Sequence, residues 1–71
     1  MNMTIEDLLK QLTDEAEEAI RQDMEFRRNG LHAEHIGAYD TAAYWQKKSE
    51  EAFDRSYDLS AAIRIIKERA T

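Results

Sequence analysis

"RRNGLHAEHIGAYD", Arg27 to Asp40, holds both glycines and both histidines of the chain. It interrupts two long stretches of helical periodicity, so its reading as a bend makes the protein a helical hairpin. Asn29-Gly30 supplies the stop: glycine or asparagine just past the last periodic residue is a common C-cap, and Arg27 and Arg28 are cations placed where the helix dipole favours them.

Upstream of the bend, Thr4 is a candidate N-cap and Asp7, three residues on, can reach back to it. Met3 and Leu8 occupy the positions of a hydrophobic staple. Ile5, Leu8, Leu9, Leu12, Ala16, Ala19 and Ile20 then recur on one face at 3.6-residue spacing, which predicts a first helix over about residues 5–28. Downstream, a four-three count from Ala38 passes through Ala42, Trp45, Ser49, Ala52, Ser56, Leu59, Ile63, Ile66 and Ala70. Every position is apolar or small. The second helix is predicted over about 38–69, with the bend over about 29–37. The count runs backwards to His35 and Leu31 as well, so this helix begins either before Gly37 or later with Asp40 as its cap.

The fold class is therefore all-α: one antiparallel two-helix hairpin spanning residues 1–71. In it, Ile5, Leu8, Leu9 and Leu12 meet Leu59, Ile63 and Ile66; Met24 and Phe26 lie near Ala38, Ala42 and Trp45. Ala16, Ala19, Ser49, Ala52 and Ser56 permit close approach midway.

A chain of 71 residues buries a modest fraction of its surface and needs a staple. It has no cysteine, hence neither disulfides nor a thiolate metal framework, which leaves idealised helices or oligomerisation. A stripe of Tyr39, Ala43, Phe53 and Tyr57 on helix 2 exceeds what one partner helix covers, so the expected form is a homo-oligomer: a four-helix bundle or a larger assembly. Phe53 and Tyr57 are the expected oligomer contacts. Asp23 joins them, because it falls mid-stripe, needs Arg27 or a tyrosine or tryptophan donor as partner, and suits a register-setting role.

The formal net charge of −5 disfavours nucleic acid. Apolar runs are far shorter than the ~20 residues that cross a bilayer, and "MNMTIEDLL" lacks the basic start and apolar core of a signal peptide, so a cytoplasmic protein without membrane attachment is expected.

Against that acidic background Arg27, Arg28, His32 and His35 gather positive charge, with Tyr39, Tyr44 and Trp45 just beyond. These seven residues are the candidate contact site, since arginine and aromatic side chains dominate interface hot spots. The same set could grip a small anionic nucleotide, guanidinium to phosphate and ring to base. "HAEH" puts two histidines three apart, which is not a zinc-protease spacing, and no metal or cofactor is expected from it.

Glu15 with Glu18 and Glu51 with Asp54 form E-x-x-E and E-x-x-D pairs. Over these four residues the pattern resembles that of the all-α nucleoside triphosphate pyrophosphohydrolases, and the resemblance implies convergent carboxylates holding Mg²⁺. No nucleophile elbow, phosphate loop or dinucleotide motif is present. The sequence thus points first to a non-enzymatic, self-associating regulator or inhibitor that binds a protein partner. An anionic-nucleotide sponge comes second and a Mg-dependent hydrolase third.

Overall fold

The computed structural model describes residues 3–70. Two helices, α1 (Ile5–His35) and α2 (Tyr39–Ala70), form an antiparallel all-α hairpin measuring 51 × 22 × 13 Å. Its thickness is that of a single helix with its side chains, about 10–12 Å.

α1 begins as its sequence predicts. The Thr4 hydroxyl oxygen accepts the Asp7 N–H at 3.0 Å while the Asp7 carboxylate accepts the Thr4 N–H at 3.4 Å, so both halves of a capping box are made.

Its end lies elsewhere. α1 does not stop at Arg28: it runs through Asn29 and Gly30 to His35, and the expected bend over 29–37 shrinks to Ile36, Gly37 and Ala38. Gly37 is the real stop, with φ +81, a left-handed conformation that glycine adopts freely. Its N–H donates to the Glu34 carbonyl at 3.1 Å, and the Ala38 N–H donates to the Ala33 carbonyl at 2.8 Å. Those two bonds make a Schellman motif and satisfy carbonyls that the helix end would orphan. α2 therefore starts after Gly37. The Ala38 carbonyl accepts its first bond, from the Ala42 N–H at 2.9 Å, and Asp40 lies inside the first turn, where its charge suits the dipole, instead of capping it.

α1 continues past Gly30 because its seam continues. Asp23, Phe26, Gly30 and Ala33 keep the four-three spacing of Ala16 and Ala19, and all but the half-buried Phe26 are buried. A Cβ on Gly30 would stand 3.4 Å from the Trp45 Cβ and 3.6 Å from the Ala42 carbonyl oxygen. Gly30 is thus the point of close helix approach, and that packing offsets the roughly 1 kcal/mol glycine costs a helix relative to alanine.

The α2 seam is the one its sequence spells. Ser49, Ala52 and Ser56 are buried, and Ala38, Ala42, Trp45, Leu59, Ile63 and Ile66 are half-buried; only Ala70, at the end, is exposed. Register is fixed where Asp23 meets Ser49 and Phe26 meets Trp45. Continued along an antiparallel pair, this register sets Ala16 against Ser56 and Leu9 against Ile63. Met24 departs from expectation: it sits one position off the seam and is exposed, as is Ile20. Among the described residues no large side chain is fully buried, and no helix is long and apolar enough to cross a membrane.

Candidate functional site

The turn-proximal third of the hairpin carries most of the chemistry. Phe26 and Trp45 stack across the seam with ring centroids 5.6 Å apart at 25°, and Tyr44 meets Trp45 edge-on at 5.1 Å and 73°. The Lys48 ammonium lies 5.7 Å from the Tyr44 ring centroid, a cation–π contact. One turn further from the bend, the Asp23 carboxylate accepts from the Ser49 hydroxyl at 2.5 Å and from the Arg27 guanidinium at 3.1 and 3.3 Å. A buried carboxylate requires such partners. Arg27 was legible as one from its i+4 spacing; Ser49, read only as a small seam residue, is the donor that the sequence concealed.

Two expectations change accordingly. Asp23, 8% exposed, finds its hydrogen-bond partners within the chain's own seam. Trp45 is half-buried, stacked on Phe26 and met edge-on by Tyr44, so part of its ring is taken up by the hairpin's own packing.

Helical rotation of about 100° per residue also divides the remaining site residues. Arg27 and Tyr39 share one long face of the hairpin, where they line a groove of about 530 Å³ together with Leu31, Glu34, Ala43 and Glu50. Arg27 borders a second recess on that face too, of about 260 Å³, with Phe53 and Asp54. His32 and Tyr44 fall on the opposite face, and Arg28 and His35 run along the line of α1 farthest from α2. All four are exposed. The positive tip is thus dispersed over three faces. Within the groove Arg27 is already bonded to Asp23 and flanked by two carboxylates, a poor setting for a phosphate and a good one for an apolar side chain with mixed charge at its rim.

The acidic pairs do not converge. Glu18 is bonded to Arg21, its i+3 neighbour, and this hydrogen bond raises the Arg21 guanidinium above its ordinary value. Glu51 lies 3.9 Å from Lys48. Both carboxylates are turned outward to cations on their own helix. Among the described residues no grouping of three or more histidine, aspartate or glutamate side chains is placed to hold a metal ion.

What sequence reasoning missed is the α1 half of the groove face. Ile20, Met24 and Leu31 are all exposed, and they lie beside the Tyr39, Phe53 and Tyr57 stripe that was legible on α2. Their spacing around Arg27 was the available signal; the sequence pattern sets Ile20 in the apolar stripe and Met24 near Ala38, Ala42 and Trp45, while Leu31 falls beyond the expected end of α1. No protein-family model, curated protein or solved structure matches the chain.

Proposed function

We propose that this chain is a non-enzymatic interaction protein whose working form is a self-associated helical bundle, and that the bundle binds a protein partner with the surface it leaves outward. One observation carries the reading: a hairpin a single helix thick exposes Ile20, Met24, Leu31, Tyr39, Phe53 and Tyr57 along one face while, among the described residues, burying no large side chain completely. Covering each such side chain is worth about 1.5–3 kcal/mol, comparable to the margin by which small domains are stable at all. The Cα radius of gyration, 16.0 Å, belongs to a shape far more open than the roughly 11 Å of a compact chain of this length.

Partner binding is supported by what remains. Arg28, His32 and Tyr44 are exposed near the turn, and arginine and tyrosine are the residue types that anchor protein interfaces. The anionic-ligand alternative needs those groups to converge with Arg27, Tyr39 and Trp45, which occupy other faces. The hydrolase alternative needs four convergent carboxylates, of which Glu18 and Glu51 are paired with Arg21 and Lys48 on their own helices.

Light scattering across protein concentration tests the assembly. The expected mass is a multiple of 8.3 kDa, with a melting temperature that rises with concentration; a single-chain mass and a concentration-independent melt reject it. For the partner, wild type and an Arg28→Ala, Tyr44→Ala double variant are compared as bait, and equal recovery of the same protein by both rejects the outward site.

A further inference from the structure

The geometry points to the docking site for a second copy of this chain: the face bearing Leu31, Tyr39, Phe53 and Tyr57, covered hairpin against hairpin, with the Tyr44 face left outward. This rests on the self-association reading above and adds which side is covered.

Three observations select the face and its occupant. The first is the distribution of apolar surface. Two recesses of the hairpin open on this face, and six large exposed apolar side chains lie along it, whereas the opposite face carries Tyr44, Ile65 and, at the turn, Ile36. Tyr44 is moreover already engaged by Trp45 and Lys48.

The second is area. The hairpin presents 5831 Å² of accessible surface, against roughly 4600 Å² for a compact protein of its mass. The excess, about 1200 Å², exceeds the roughly 800 Å² that each partner buries in a standard interface. A second hairpin laid on the face turns one layer into two and removes such an excess without any other component.

The third is charge. Lys10, Arg27, Arg64 and Lys67 share the face with Glu6, Glu17, Glu34, Glu50 and Asp54, so four cations stand against five anions and most of the net charge of −5 resides elsewhere. An acidic chain can therefore approach its own copy here with little like-charge repulsion. A basic partner is drawn instead to the remaining surface. In a two-fold arrangement the same patch meets itself, which a face of mixed and nearly balanced sign permits and a face of one sign does not.

The three tyrosines provide an internal test in the unmodified protein. In an isolated hairpin Tyr39 is 70% exposed, Tyr57 66% and Tyr44 55%, so an uncovered chain nitrates Tyr44 most slowly under tetranitromethane. Docking through the proposed face reverses that order. At concentrations where light scattering shows association, Tyr44 is expected to react first, with Tyr39 and Tyr57 protected, and dilution to single chains is expected to restore the order set by exposure. As a second measurement, Phe53→Glu is expected to weaken association at least about 30-fold, as loss of a buried anchor does, while Tyr44→Glu leaves it unchanged. If Phe53→Glu also loses its helical circular dichroism, the nitration order in wild type decides. A wild type that stays single-chain rejects self-association and this inference together. An associated wild type in which Tyr39 and Tyr57 remain the faster to react, or which Tyr44→Glu dissociates, rejects the face alone.

Discussion

Gly30 lies inside α1, buried beneath Trp45, whereas Gly37, one heptad further on, stands in open space at φ +81 with nothing within 4 Å of where its Cβ would be. The two positions need glycine for unrelated reasons. At Gly37 the requirement is in the backbone itself: side-chain-bearing residues rarely enter that conformation, whatever surrounds them. At Gly30 the backbone is ordinary helix, and the requirement is imposed from outside by the α2 backbone and the Trp45 side chain crossing it. One glycine belongs to the turn, the other to the pair of helices. A local motif can be read from neighbours in sequence; a crossing point can be read only once the opposite strand of the seam is known.

Substitutions can sharpen or break this contrast, provided all are compared at one protein concentration, because association shifts apparent stability. The largest effect is expected from Gly30→Leu, which forces a branched side chain into a gap that only just admits a methyl. It should cost about 3 kcal/mol in a urea melt and move the emission of Trp45, the one tryptophan, as its stack with Phe26 opens. Stability within about 1 kcal/mol of wild type would refute the crossing-point account. Next comes Ser49→Ala, which takes a donor from the buried Asp23 carboxylate on the same stretch of seam; a loss of about 2 kcal/mol is expected by the same melt, and a neutral result would show that Arg27 alone suffices. Gly37→Ala meets no steric obstacle yet should cost about 1 kcal/mol from backbone strain alone. The smallest change belongs to Gly30→Ala, where a methyl at ordinary contact distance joins a gain in helix propensity, for a net shift below about 0.5 kcal/mol. Equal losses for the two alanine variants would erase the distinction between the glycines.

The same distinction explains how much was legible in advance. The α2 seam from Ala38 to Ile66 was readable in full because each residue on it is small or apolar, so periodicity alone carried the reading. The capping box at Thr4 and Asp7 was readable because it is local. The end of α1 was not: Asn29-Gly30 has the composition of a stop, and only α2 lying across Gly30 shows that the seam runs on through it. Of the candidate site, Tyr39, Phe53 and Tyr57 share a face as their spacing implied. Residues adjacent in sequence were grouped too readily: the helical rotation sends Arg27 and Arg28 to different faces, and Tyr44, though its ring meets that of Trp45, lies on the face opposite Arg27 and Tyr39. Ser49 as a hydrogen-bond donor had no signal at all, since a serine on a stripe of small residues looks like any other spacer.

Gly37 has one more consequence. Ile36, Gly37 and Ala38 are all that folds α1 back along α2; were these three helical, residues 5–70 would form a continuous rod about 100 Å long. Two such rods lying antiparallel could remake the contacts of the closed hairpin by exchanging arms. The left-handed residue at position 37 therefore governs a choice between self-contained units and interlocked ones, and it does so with open space where a side chain would stand.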